Sequence, residues 1–323
     1  MRAMTRMALA AVCALLLVCG LLAGGCGIKP EKKAPASITL TDDEGRTVTL
    51  AGPAKRIVVL SPSFLDLVGA VDGTVVGRAK SNIAKVPGFA RDAAEVGFIF
   101  NINTEKVVSL KPDLVVAYKG MHEKYIPLFT ANNIPVLVLN LKTYEDVKHS
   151  LVLLGQATGH PEKGREEAER LDKLVASIAA TLPKTERKVA ILHSSAQNVT
   201  LENSRSIAGC SAELLHLHNI MADAEGVKAP TGEAMPDQAP FSLEFLVEQN
   251  PEVIFITSMG SRKEINARLE KEAVGSPAWK TIKAVRDGKV YYLPDELFLL
   301  NPGLDYPRAV QFMADCLAGK EKS

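Results

Sequence analysis

His193 closes the run KVAILH, while Tyr118 closes DLVVAY and is followed by Met121 and His122, so donor-bearing side chains stand where two apolar strands would end. Imidazole, phenolate and thioether all ligate haem iron, and imidazole also ligates cobalt. In open α/β sheets ligands gather beyond the carboxyl ends of strands. His193, Tyr118 and His122 are therefore candidate axial ligands, with simple lining of a pocket wall as the other use of the same side chains. Further strand-end residues set the character of such a pocket: Ser61, Ser63, Phe64, Phe98, Phe100 and Lys119 from the first half, and Ser194, Arg205, Phe241, Thr257, Met259 and Phe298 from the second. Flat apolar faces with scattered hydroxyls suit a large ring or chelate better than a bare anion.

Other chemistries find no foothold. The sequence contains no P-loop, no G-x-S-x-G elbow, no paired C-x-x-C and no H-E-x-x-H. His216 and His218 fall on a predicted helix, roughly 200° apart around its axis, and cannot share a metal there. His149 and His160, in or beside helices, are read as structural or surface residues. Across 323 residues, 38 Lys and Arg balance 37 Asp and Glu, which lacks the basic footprint that nucleic acid demands. With 47% hydrophobic residues the chain can build sizeable cores, and its length exceeds what one core usually fills.

The elements that must position these side chains read as alternating strands and helices. Residues 56–60, 113–118 and 135–140 are short, continuous apolar runs, and 188–193, 252–257 and 289–293 form a second set. Continuous apolar strands imply burial on both faces, hence mainly parallel sheets covered by helices. The halves echo one another: proline stands seven residues after Glu105 and after Glu244, at Pro112 and Pro251, each followed by an acid and an apolar strand. RIVVLSPS from Arg56 matches KVAILHSS from Lys188 at a similar separation. Between the halves, residues 161–182 carry the i, i+3, i+4, i+7 pattern, with Pro161 placed for a first turn and Pro183 past the end. The expected body is thus an α/β lobe over 38–160, one rigid bridging helix over 161–183 and a second α/β lobe over 184–323. Thr39, Thr41, Val48 and Leu50 around Asp42-Asp43-Glu44-Gly45 predict a hairpin at its start.

Six segments in order, TDDEGRTVTL, RIVVLSPS, NINTEKVVSLKPDLVVAY, PFSLEFLVEQNPEVIFIT, SPAWKTIKAVRDGKVYYLP and NPGLDYP, resemble the periplasmic-binding-protein family that serves ferric siderophore, haem and cobalamin ABC importers. The similarity runs over residues 38–318. It implies two Rossmann-like lobes bridged by a long helix, with a ligand cleft between them. It also implies a receptor, not an enzyme, with no permanent cofactor. Such a receptor captures an iron chelate (ferric siderophore or haem) and delivers it to an ABC permease dimer with its ATPase. Glu105 and Glu244 occupy the places from which the family's lobes meet permease arginines. A corrinoid ligand is the alternative within the family. A tetrapyrrole chelatase-like enzyme and a bare-ion receptor are alternatives outside it, the latter needing more convergent His and carboxylate ligands than one histidine per lobe.

The first 25 residues read as a secretion leader: Arg2 and Arg6, an apolar stretch over 7–22, then small residues up to Cys26. Ala23-Gly24-Gly25-Cys26 resembles the lipobox of bacterial lipoproteins, which implies acylation of Cys26 and anchoring at the outer face of the cell membrane or in the periplasm. Residues 26–37, rich in Pro, Lys and small residues, suit a flexible tether. Cys210 and Cys316 sit in apolar helical contexts and are expected to be buried thiols.

Overall fold

The computed structural model describes residues 36–82, 86–183, 186–224 and 238–321; the leader, Cys26 and most of the tether lie outside these. The described body opens on the expected hairpin, β1 (Ile38–Thr41) against β2 (Thr47–Leu50). Leu40, Val48 and Leu50 point inward while the threonines alternate outward, the period-2 pattern of a half-buried ribbon.

The first lobe follows as β3 (Ile57–Val59), α1 (Leu65–Ala70), β4 (Val75–Lys80), β5 (Ala94–Phe98), β6 (Asn101–Ile102), α2 (Thr104–Ser109), β7 (Leu114–Tyr118), α3 (Ile126–Ala131), β8 (Val136–Leu139) and α4 (Tyr144–Thr158). Its sheet has the order β6-β5-β4-β3-β7-β8, parallel except at the β5–β6 hairpin. The α5 helix (Pro161–Ala179) then leads to the second lobe: β9 (Lys188–Ser195), β10 (Val199–Glu202), α6 (Ile207–Leu214), β11 (His218–Asn219), β12 (Gln238–Pro240), α7 (Leu243–Gln249), β13 (Val253–Met259), α8 (Arg262–Leu269), α9 (Lys283–Arg286), β14 (Val290–Tyr292), α10 (Asp295–Phe298) and α11 (Tyr306–Leu317). Here the order is β12-β10-β9-β13-β14, with β11 beside the start of β9. The central strands are buried along their length, because helices cover both faces of each sheet.

The internal repeat extends to the backbone. Lys111 and Asn250, each just before the repeated proline, both adopt left-handed φ, +49° and +44°. The Arg56 guanidinium donates to the carbonyls of Leu110 and Lys111 at the end of α2, and Lys188 Nζ donates to Gln249 at the end of α7. Both lobes thus stop a helix, turn and enter a central strand by one device.

Two expectations shift. The long helix stops at Ala179 and gives way to single turns, Thr181 donating to Ile178 and Leu182 to Ala179. Pro183 is the cause, since it disfavours helical geometry at the preceding residue and cannot donate. His216 and His218 do not share a helix: α6 ends at Leu214, His216 turns the chain at φ +57°, and His218 enters β11. Among the described residues no helix is long and apolar enough to cross a membrane.

At 1.5 Å per residue the 19-residue α5 spans about 28 Å. It lies along α4 of the first lobe and against α11 of the second, burying Leu171, Val175 and Ile178 in one stripe. At the α4–α5 crossing the contact is backbone on backbone: a Cβ on Gly164 would lie 2.4 Å from the Leu151 carbonyl oxygen, and one on Gly155 would lie 3.1 Å from the Gly164 Cα. Gly164→Ala should therefore force the helices apart and cost about 1–3 kcal/mol, as overpacking does. Chemical denaturation checks this, and a midpoint equal to wild type would show that the crossing can relax.

Candidate ligand-binding cleft

The strand ends of both lobes converge on one cavity of about 290 Å³. The first lobe supplies Ser61, Ser63, Ile99, Tyr118, Met121, Leu141 and Lys142; the second supplies His193, Glu202, Arg205, Ser206, Ile207, Gln238 and residues 298–301. A larger cavity of 1120 Å³ lies among α4, α5 and α6, but no strand end opens into it. Chemistry, not size, marks the smaller one as the candidate site.

Arg205 and Ser206 are presented by the tight turn from β10 into α6. Ser206 caps that helix, its hydroxyl accepting from the Gly209 amide at 2.9 Å. The turn tolerates only glycine at 209, where a Cβ would lie 1.8 Å from the Asn203 carbonyl oxygen. Among the described residues the Arg205 guanidinium, exposed at the cavity, forms no ion pair or hydrogen bond. A positive side chain and a helix N-terminus together favour an anionic guest.

His193 stands at the end of β9 with a polar chain behind it. Its Nδ1 lies 2.9 Å from Thr257 Oγ1, which donates to Glu202 Oε1 at 2.7 Å. Thr257 is therefore buried support for the imidazole and not part of the cavity wall. Asn301 accepts the Gly303 amide through Oδ1 at 2.8 Å, and its buried amide nitrogen has no partner among the described residues. Tyr118 remains at the wall, its hydroxyl 3.4 Å from the Leu141 carbonyl.

Eight of the fifteen wall and ligand candidates read from sequence are placed elsewhere, besides Thr257. His122 cannot ligate a metal as it stands: its Nδ1 accepts the Tyr118 amide at 3.0 Å and its Nε2 bonds the Ile99 carbonyl at 2.8 Å, fully buried beneath the wall. Lys119 turns away to the β1–β2 turn, donating to the Asp43 carbonyl and pairing with Glu44 at 3.2 Å. Phe64 is core, its ring 5.9 Å from Tyr118; Phe241 packs on the second-lobe core; Ser194 is buried, its hydroxyl without a partner among the described residues. Phe98 and Phe100 are 49% and 70% exposed and flank Ile99, which does line the cavity. Met259, the last residue of β13, is exposed as well. Glu202, Gln238, Lys142 and Asn301 were not legible as wall residues. Glu202 ends an apolar run, VTLE, and a carboxylate so placed was the available signal.

Two α/β lobes that bring the carboxyl ends of their strands to one shared cleft define a receptor that captures its ligand between lobes. The sequence profile of the periplasmic binding protein family matches residues 57–297, and the chain belongs to that family. It is 29% identical to the Fe(3+)-citrate-binding protein YfmC of Bacillus subtilis over 90% of each chain. Staphylococcus aureus SirA, solved in complex with staphyloferrin B, superimposes with a TM-score of 0.69 at 20% identity, covering 87% of this chain and 97% of its own. Staphylococcus aureus IsdE, solved with heme, gives 0.66 at 21% identity over 81% and 98%.

Burial holds the His122 pKa below its ordinary value. Its neutral form is therefore favoured in the fold, a stabilisation present above the unfolded value of about 6.5 and lost as pH falls through the depressed folded pKa. His122→Gln should lower stability at pH 7.5 by about 1–3 kcal/mol through its broken backbone bonds. Wild type should then lose more of its melting temperature than the variant between pH 7.5 and 5. Parallel losses in the two proteins would remove this assignment.

Proposed function

We propose that this protein is the extracytoplasmic receptor of an ABC importer and that its cargo is an anionic iron chelate of the citrate or siderophore class, or haem. The observation that carries the reading is the convergence of Arg205, the N-terminus of α6 and His193 on one inter-lobe cavity. Carboxylate-bearing ferric complexes offer negative charge to the first two and a metal to the third. The Fe(3+)-citrate-binding relative supports this class of cargo. That relative is named for binding its iron complex, which supports capture and release with the complex as cargo and not as a resident cofactor.

Equilibrium titration with ferric citrate, haem, a ferric hydroxamate, cobalamin and free Fe³⁺ tests the reading. Binding of at least one iron complex, with cobalamin and free Fe³⁺ weak, is the expected pattern. Arg205→Gln should weaken ferric citrate about 10- to 100-fold, the worth of one charge-assisted hydrogen bond. An unchanged affinity would remove Arg205 from the cargo site, and preference for cobalamin would replace iron with a corrinoid.

Delivery in this reading uses Glu105 and Glu244. Both are exposed near the start of a short helix, two residues past a capping side chain, Asn103 in α2 and Ser242 in α7. This equivalence supports paired docking to a permease dimer, with electrostatic contacts acting on encounter and orientation more than on fold stability. The double variant Glu105→Ala, Glu244→Ala should abolish import by the reconstituted transporter while cargo affinity and melting temperature stay near wild type; normal uptake would leave the pair only a helix-start role. Anchoring is assigned to Cys26. Cys26→Ser should move the protein to the soluble fraction with its cargo affinity intact, and continued membrane retention would reject that anchor.

A further inference from the structure

The polar chain behind His193 constrains where its protons sit. Thr257 Oγ1 lies 2.7 Å from Glu202 Oε1, 2.9 Å from His193 Nδ1 and 3.4 Å from the Leu192 carbonyl. A hydroxyl has one hydrogen, while a carboxylate and a carbonyl can only accept. With Glu202 ionised, that hydrogen goes to the carboxylate, the nearer acceptor. The hydroxyl then meets the imidazole with a lone pair, so Nδ1 must carry the hydrogen in that bond. Glu202 Oε1, 3.5 Å from Nδ1, favours the same arrangement. Glu202 and Thr257 are 5% and 3% exposed, so water does not compete for these bonds. The neutral ring then keeps its free lone pair on Nε2, the nitrogen away from Thr257, while the side chain lines the cavity.

We infer that Glu202 and Thr257 are positioning residues that hold His193 as its Nδ1–H tautomer, so that Nε2 coordinates the iron of the cargo directly. This rests on the reading of the cleft as an iron-chelate site and names the kind of chelate it selects. A nitrogen donor offered by the wall forms a bond only where the iron has an open or replaceable position. Haem and citrate complexes have one; a hexadentate chelate that fills all six positions does not. The receptor therefore distinguishes complexes by the lability of the metal's coordination sphere as well as by charge. Outer-shell partners of this kind commonly change metal affinity 10- to 100-fold when removed.

Two measurements separate this inference from the reading beneath it. Long-range ¹H–¹⁵N NMR of the ligand-free protein should show His193 as the Nδ1–H tautomer. Thr257→Val should shift it toward Nε2–H, and Thr257→Ser should restore it. An Nε2–H tautomer in wild type would overturn the positioning assignment. Optical and electron paramagnetic resonance titrations would use ferric haem, ferric citrate and a ferric hexadentate trihydroxamate. The first two should give iron spectra that change on binding and that His193→Ala alters, with at least a 10-fold loss of affinity. Thr257→Val should weaken the same complexes about 10-fold, and the trihydroxamate should bind poorly. Iron spectra of bound haem and citrate identical in wild type and His193→Ala would overturn direct coordination, and equal affinity for the trihydroxamate would overturn the selection. If no iron complex binds, the iron-receptor reading falls and coordination with it, whereas the NMR result still decides the tautomer.

Discussion

At the crossing of α4 and α5 a methyl group on Gly164 would sit 2.4 Å from a main-chain oxygen, so the two helices meet through their backbones. Side-chain ridges can slip past one another by changing rotamer; main chains in contact cannot. The crossing therefore fixes α5 on the first lobe in both position and roll. Beyond it, the stripe of Leu171, Val175 and Ile178 enters a hydrophobic cluster that also holds Ala309, Val310 and Met313 of α11. The rings of Tyr144 and Tyr306, 5.3 Å apart and edge to face, join α4 to α11. The spacing of the strand ends that build the cleft thus depends on a helix seated between two packed partners, α4 and α11.

That frame gives the two walls different characters. The first lobe offers hydroxyls and apolar groups, Ser61, Ser63, Ile99 and Leu141, with Lys142 at its edge. The second concentrates ionisable groups, Arg205, His193 and Glu202, at the end of β9 and the turn after β10. Antiparallel addition of β10 to β9 is what brings Glu202 beneath Thr257, since the two strands run back on one another at Thr200 and His193. A wholly parallel sheet would have sent the residue after that run to the far end of the lobe.

The parallel frame was readable because burial on both faces leaves an unambiguous mark, four or five consecutive apolar residues, and six such runs became strands, four of them central and two, β8 and β14, at sheet edges. The long helix was readable for its periodicity and its flanking prolines, with its end expected at 182–183 and found at Ala179. Side-chain direction was harder. Lys119 and Tyr118 are adjacent at the end of β7, yet one faces the hairpin turn and the other the cleft, because alternate residues of a strand point oppositely. His122 and Thr257 were identified as polar groups near the site, but whether such a group faces the guest or holds a neighbour depends on distant partners, Ile99 and Glu202. Asn301 and Gln238 reach the cavity from segments with no strand signal, so nothing local in the sequence marks them.

Cys316 lies on the inward face of α11, 1% exposed, and burial lifts its thiol to a pKa of about 12. The thiolate is the form that reacts with oxidants and alkylating reagents. In the native body this sulfur is thus withheld both by packing and by protonation, and the described cysteines, Cys210 and Cys316, form no disulfide. Burial leaves both sulfurs as free thiols in the described body. It also makes Cys316 a clock: its alkylation can proceed only when α11 leaves the core, so the labelling rate would time that opening while remaining blind to any breathing of the cleft.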